Sequence, residues 1–343
     1  MANALRFAIA GPGYIGSVHA RAIAATEGAE LVAVLGSDGG RAGAFAAEHG
    51  GLRCHGDVAE LAADAEVDCV VLATPNHLHA PQALVLLEAG KHLLIEKPLA
   101  MNVGEGLQIV TAAEREGRCV AVGHMWRFDR EAQHLRAAVE RGDLGEIVKT
   151  KGYGIHVNWG PSGWFTSAAS AGGGALIDMG IHAIDTVRYL LGDPEPRSVY
   201  ARLSTRFGEY DVDDLGLVVI EWDGGTVSSI ESGWWNPHMD GPEASTQLFG
   251  TRGYARLFPT SIERTVGGES INEVLDFPPR KEHCDPHIYA GQIAAFVLCV
   301  RENRKPAAGL AEGISALRIC EAAVLSSREN RVVELRGPLH VVR

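Results

Sequence analysis

A chain of 343 residues, 46% of them hydrophobic and 22% charged, has enough apolar content to bury two cores and too much for intrinsic disorder. Its formal net charge of -12 and the absence of a basic stretch exclude the electrostatics that hold phosphodiester backbones or anionic lipid, so no nucleic acid and no membrane partner is expected. Six cysteines at 54, 69, 119, 284, 299 and 320 form neither a C-x-x-C pair nor a framework spacing, which argues against structural zinc and a disulfide scaffold. With no secretory pattern in "MANALRFAIAGPGYIG" and no apolar run of membrane-spanning length, a cytoplasmic protein with reduced thiols is expected.

In the first third, apolar runs at "LRFAIA", "ELVAVLG", "VDCVVLA", "HLLIE" and "CVAVGH" alternate with helical patterns such as "PQALVLLEAG". Strands without internal polar alternation, separated by helices, predict a doubly wound parallel sheet covered on both faces, assigned to residues 1–124. After about residue 125 the pattern becomes two-residue alternation, as in "EIVKTKGYGIHV", "SVYARLSTRF" and "LGLVVIEW". This predicts a second, α+β domain over 125–343 with an open, largely antiparallel sheet that binds substrate and mediates oligomerisation. Helices near 174–191, 287–303 and 310–328 are expected on one face of that sheet. Its other face then needs a partner surface, so a homodimer or homotetramer is expected.

The first strand runs into Gly11-Pro12-Gly13-Tyr14-Ile15-Gly16 and then a helical pattern. In this setting Gly11 permits the tight turn, Gly13 lets backbone approach a pyrophosphate and Gly16 lets the helix pack closely, with its first amides facing the phosphates. The second strand ends in "VLGSDGGR", where an acidic residue would ordinarily accept the adenosine ribose hydroxyls. Gly36 takes that place, and Ser37 and Arg41 leave room and a guanidinium for a 2′-phosphate, which favours NADP(H) over NAD(H). The alternative is that Asp38 serves the ribose and Arg41 is only solvated. Further on, Glu96-Lys97-Pro98 ends a buried strand at the edge that faces the ligand crevice, which puts Lys97 near the nicotinamide end of a cofactor.

Two segments of the second domain carry further chemistry. "HVNWGPSGWF", from His156 to Phe165, suits a loop over the crevice, and Trp159 and Trp164 could offer apolar faces to a sugar ring, as could the tryptophans of "ESGWWNPH". Burial in the sheet or at a subunit interface is the competing reading for all four. "GGGALIDMGIHAID" places Asp178, His182 and Asp185 four and three residues apart, within roughly one sixth of a helix circumference. Metal ligation, acid-base chemistry and a helix end with satisfied polar contacts compete there. Asp178 and His182 alone are one ligand short of a catalytic zinc site, and the spacing of Asp185, His156 and His238 does not supply it, so no metal is assigned.

At this point the chain resembles the glucose-fructose oxidoreductase and inositol dehydrogenase family (Gfo/Idh/MocA). The similarity rests on "GPGYIG", "ATPNHLHA" (Thr74, Pro75, Asn76, His79), "EKP" at 96–98 and "GGGALIDMGIHAID", in that order. It implies a Rossmann domain followed by an α/β domain with an open sheet, and nicotinamide-dependent oxidation or reduction of a sugar, polyol or related compound. It also implies catalytic positions at Lys97, Asp178 and His182, and a cofactor groove that includes Thr74, Pro75, Asn76, His79 and Glu96. Two departures limit the carry-over: Phe165 stands where many relatives have a basic side chain, and Gly36 replaces the acidic ribose residue.

With Lys97 and the glycine loop present, the acid-base reading of Asp178 and His182 leads. Oxidising a secondary alcohol removes the hydroxyl proton as hydride leaves carbon, and His182 is the expected base. Lys97 would stabilise developing alkoxide charge, and Asp178 would orient the histidine or the substrate. Lys97, His156, Trp164, Asp178 and His182 are the expected substrate contacts. An NAD-dependent glycosidase working by transient oxidation and a non-catalytic dinucleotide sensor are the alternative functions.

Overall fold

The computed structural model describes residues 4–238, 241–275, 277, 284–335 and 337. The described residues fall into two compact units, within 1–128 and 280–314 and within 129–279 and 315–343.

The first unit begins β1 (Leu5–Ala10), α1 (Tyr14–Ala24), β2 (Ala29–Leu35), α2 (Gly39–Glu48), β3 (Arg53–His55) and α3 (Val58–Ala63). It continues β4 (Cys69–Leu72), α4 (His79–Glu88), β5 (His92–Ile95), α5 (Val103–Glu116) and β6 (Val120–Val122). The six strands pair in parallel in the order β3-β2-β1-β4-β5-β6. Succession from β1 runs outward through β2 and β3 and then resumes on the other side at β4, so the topological switch point lies between β1 and β4. The strands form where aliphatic runs can be buried on both faces: all four residues of β4 are fully buried. Asp38, Asp57 and Asn102 start α2, α3 and α5 by accepting backbone N–H bonds. β3 was not expected. Its three residues lie at the sheet edge with Arg53 and Cys54 exposed, so no apolar run marks it.

The second unit starts with α6 (Arg130–Glu140), β7 (Ile147–Val157), α7 (Ala168–Ala171) and α8 (Ile181–Leu190). β8 (Pro196–Ser204), β9 (Leu215–Trp222), β10 (Val227–Asn236), β11 (Ala244–Gly250), β12 (Gly253–Leu257), β13 (Ser261–Val266) and β14 (Glu269–Val274) follow. The chain then passes through α9 (Pro286–Glu302), α10 (Leu310–Glu329) and β15 (Val333–Glu334). A nine-stranded sheet runs β14-β13-β12-β11-β7-β10-β9-β8-β15. Its pairings are antiparallel except β7 with β10, so the largely antiparallel sheet expected from alternation is present. On β9, Gly216, Val218, Ile220 and Trp222 are buried while Leu215 and Leu217 are exposed, the period-two signature of a sheet with one covered face. Ile181, Ile184 and Val187 of α8 and Ile319, Cys320 and Ala323 of α10 pack on Val199, Val218, Ile220 and Ile230 of that face.

One expected placement is corrected. The helix near 287–303 does not cover the second sheet: Ile288, Tyr289, Ile293 and Phe296 of α9 share a core with Phe7, Ile9, Val18 and Ile23 of the first unit. Phe296 meets Phe7 edge-on with centroids 6.1 Å apart. The amphipathic period of α9 announces that it packs but carries no label for the surface it packs on.

The helix expected over 174–191 also begins differently. After bends at Gly172–Gly174 the chain takes a π-helical turn, Leu176–Gly180, in which Ile181 N–H donates to Leu176 O, before continuing as α8. Widened turns of this kind concentrate at functional sites, and this one carries Asp178.

Candidate active site

In the first unit the glycine loop has the contours of a pyrophosphate cradle. Gly11 sits at φ +104°, and a Cβ there would lie 2.4 Å from Ala73 O, so only glycine fits between the ends of β1 and β4. A Cβ on Gly16 would lie 2.2 Å from Gly11 O, whereas one on Gly13 would meet nothing within 4 Å. The open side at Gly13 adjoins the start of α1, whose N-terminus has no side-chain cap, so these amides suit a phosphate. Tyr14 begins α1 and is exposed, and Ile15 packs against the first core. These residues fit a dinucleotide.

At the end of β2, Gly36 is held tightly: a Cβ would approach Pro12 Cγ to 2.9 Å. Ser37, Asp38 and Arg41 are exposed around the start of α2. Asp38 Oδ1 accepts from Gly40 N–H at 2.9 Å and Arg41 N–H at 3.1 Å, so its carboxylate caps the helix.

The turn after β4 is braced. Thr74 Oγ1 donates to Gln82 Oε1 at 2.8 Å. Pro75 leads into a 3-10 turn over Asn76–Leu78, and Asn76 is buried. His79 is fully buried, with Nδ1 2.8 Å from Pro98 O and Nε2 2.9 Å from Thr74 O. Burial lowers its pKa, against two carbonyls that favour protons on the ring. His79 thus ties the Thr74 turn to the turn behind Lys97, and its influence on the groove runs through those carbonyls.

Lys97 is half-buried and precedes a cis bond to Pro98. Glu96 beside it is buried, with Oε1 2.7 Å from His19 Nε2 on α1 and Oε2 accepting Lys97 N–H at 3.2 Å. His19 in turn meets Tyr289 of α9 edge-on at 5.1 Å. Burial alone would raise the Glu96 pKa, but the His19 contact and the Lys97 charge outweigh it and hold it below the ordinary glutamate value. Sequence reasoning missed His19, whose partner lies 77 residues away.

In the second unit Asp178 is half-buried on the π turn, and its Oδ2 accepts from Trp234 Nε1 at 3.1 Å. His156, at the end of β7, is buried with Nε2 3.8 Å from the same oxygen and Nδ1 3.5 Å from Glu243 Oε2. The Trp159 indole stacks on the His156 ring with centroids 3.5 Å apart and donates to Glu243 Oε1 at 2.7 Å. His182 is half-buried on the first turn of α8, and Asp185 is buried one turn further on. Trp164 stacks on Phe165 at 3.8 Å. Of the tryptophans in "ESGWWNPH", Trp234 is buried and Trp235 exposed.

Two residues that sequence reasoning passed over organise this group. Asp213 Oδ1 accepts from Gly174 N–H at 2.9 Å and its Oδ2 from Leu176 N–H at 2.8 Å, which fixes the start of the π turn. Glu243 joins His156 and Trp159. Neither belongs to a motif, and both act on partners remote in sequence.

Comparison with known proteins agrees with this layout. Residues 5–124 match an oxidoreductase family with an NAD-binding Rossmann fold (GFO/IDH/MocA), and residues 132–256 match the GFO/IDH/MocA C-terminal domain. The D-glucoside 3-dehydrogenase of Escherichia coli K12 is 30% identical over 348 residues, spanning 96% of this chain and 97% of the relative. Inositol 2-dehydrogenase 2 of Saccharopolyspora erythraea is 32% identical over 333 residues, spanning 94% of this chain and 93% of the relative. The crystal structure of GenD2 from gentamicin A biosynthesis in complex with NAD superposes with a TM-score of 0.86 at 28% identity, covering 98% of each chain. No helix among the described residues is long and apolar enough to cross a membrane.

The Glu96 environment gives a pH-dependent expectation. Glu96→Gln removes a charge-assisted partner of His19 and should cost about 1.5–3 kcal/mol of stability near neutrality. A lowered folded-state pKa makes this contribution complete above the unfolded-state value of about 4.3 and lost as pH falls through the folded-state value. The gap in melting temperature between wild type and variant should therefore be open at about pH 7 and close in acid; thermal melts across that range check it.

Proposed function

The chain belongs to the GFO/IDH/MocA oxidoreductase family, and on that premise we propose that it transfers hydride between NADP(H) and a secondary alcohol or ketone of a sugar, cyclic polyol or sugar derivative. It is a nicotinamide-dependent dehydrogenase or reductase. The observation that carries the reading is the cradle at Gly11, Gly13 and Gly16 in the same unit as Lys97, on strand ends of one parallel sheet. The names of the relatives support the substrate class.

The cradle would hold the pyrophosphate, and the nicotinamide, when bound, supplies the hydride acceptor or donor. In the oxidation His182 takes the hydroxyl proton, and in the reverse direction it returns it. The Lys97 ammonium stabilises the developing alkoxide, and Asp178 orients His182 or the substrate hydroxyl. Trp164 contacts the rest of the ring, whereas His156, the other expected contact, is buried beneath Trp159 and acts through it. Replacing either Lys97 or His182 should then lower turnover by about two orders of magnitude or more while cofactor affinity changes much less, and the double variant should be little worse than the poorer single one. Steady-state kinetics with inositols, aldoses and anhydrosugars, beside cofactor titration, tests this; a folded His182→Ala protein with near-normal turnover would overturn it.

Preference for NADP(H) is supported by Gly36, where packing against Pro12 leaves no place for an acidic side chain, and by Asp38, whose carboxylate is engaged by helix amides. Ser37 and Arg41 remain for the 2′-phosphate, with Asn76, Thr74 and Pro75 lining the groove. Arg41→Ala should weaken NADPH by about 1.5–3 kcal/mol and leave NADH unchanged, as measured by direct titration.

The exposed Tyr200, Leu217 and Val227 on the uncovered sheet face support assembly as a homodimer or homotetramer, and the free cysteines support a cytoplasmic setting. Light scattering at micromolar concentration should give a multiple of the chain mass; a monomer mass would reject the assembly.

A further inference from the structure

Trp159, stacked on the histidine that faces Asp178, is at once exposed and pinned. It retains 42% exposure, yet it is not a loose surface side chain. One indole face lies on the buried His156 ring, 28° from parallel, and its N–H is held by Glu243 Oε1. That oxygen also accepts Val157 N–H at 3.2 Å, and Glu243 O accepts Ile155 N–H at 2.8 Å, so the carboxylate itself is anchored on β7. His156 Nε2 then lies 3.8 Å from Asp178 Oδ2, which places the stacked pair one imidazole ring away from the carboxylate.

An indole with one face seated, its N–H satisfied and 42% of the residue exposed is apolar surface held at low entropic cost. The C–H face of a pyranose or cyclitol ring is the complementary partner: flat, apolar between its hydroxyls, and able to lie on an aromatic face. We propose that Trp159 is the stacking platform for a ring substrate and that Glu243 is the positioning residue that holds it there. The proposal rests on the sugar or polyol reading above and narrows it to cyclic substrates, because an open-chain polyol presents no such face. Glu243 touches no reacting atom in this scheme; it acts through Trp159 and His156.

The two residues should behave as one unit. Trp159→Ala and Glu243→Ala should each raise KM for a ring substrate about tenfold or more with kcat within about threefold, the pattern of lost uniform binding. Glu243→Gln keeps an oxygen for the indole N–H and should recover most of the loss. Trp159→Phe keeps a ring but removes that N–H, so adding Glu243→Ala to it should give less than the sum of the single effects. A readout that needs no turnover uses the full-length chain with levoglucosan, myo-inositol and methyl glucoside as probes: their C–H protons should show aromatic ring-current shifts with wild type and Glu243→Gln, and lose them with Trp159→Ala and Glu243→Ala. If shifts appear but no probe is oxidised, the catalytic reading fails and the platform stands. Wild-type protein that shifts none of the probes, or a Trp159→Ala variant with unchanged KM and unchanged shifts, overturns the platform.

Discussion

A half-buried carboxylate, that of Asp213, fixes the segment that carries Asp178 and His182. Asp213 accepts Gly174 N–H and Leu176 N–H with its two side-chain oxygens, and its own carbonyl accepts Ala175 N–H at 2.7 Å. Three consecutive amides at the start of a helix, which would otherwise be unsatisfied inside the protein, are thereby met by one residue. The fit is so close that a Cβ on Gly174 would fall 1.8 Å from Asp213 O. Burial raises the pKa of Asp213, opposed by the N–H donors of Leu176 and Gly174. Asp178 and His182 inherit their places from this junction, because the π turn that carries the first runs directly into the helix that carries the second.

The first unit solves a similar problem with a different pair. A strand end must present Lys97, and the residue before it, Glu96, is drawn inward to His19 on the dinucleotide helix. The contact leaves no slack: a Cβ on Gly123 would approach Glu96 Oε2 to 2.7 Å. Helix α9 backs both arms of the glycine loop, α1 through Tyr289 on His19 and β1 through Phe296 on Phe7. A segment from late in the chain therefore supports the nucleotide loop at its beginning.

That arrangement explains what could be read from the sequence. Strands β1, β2, β4, β5 and β6 were legible because burial on both faces demands uninterrupted aliphatic runs, and the glycine loop because its backbone geometry admits few other residues. The alternating strands of the second sheet declared themselves by period two. What stayed hidden depends on partners distant along the chain. His19 meets Glu96 across 77 residues, and Trp159 meets Glu243 across 84, and nothing local distinguishes that histidine or glutamate from a surface one. The docking surface of α9 and the widened turn at 176–180 were hidden for the same reason: periodicity records that a face is apolar, not what covers it. Lys97, Asp178 and His182 were legible only as residue types in an ordered set of motifs; of the side chains around them Glu96 and His79 lay within those motifs, whereas His19, Asp213 and Glu243 lay outside.

The carboxylates of the second unit show how placement divides structural from chemical use of one functional group. Asp214 is fully buried and accepts Arg206 N–H, Phe207 N–H and the Tyr210 hydroxyl, while its carbonyl accepts Trp234 N–H at 2.9 Å. Asp213 is likewise engaged by amides. Backbone donors of this kind cannot leave without disturbing the fold, so these two carboxylates are committed to structure. Asp178 meets side chains instead: it accepts from the Trp234 indole, faces the His156 imidazole, and remains half-buried. Both partners are side chains, so the bonding of Asp178 can change without breaking a backbone hydrogen bond. Asp214 thus holds Trp234 through its backbone amide, and Trp234 orients Asp178. The committed carboxylate supports the available one through a single tryptophan.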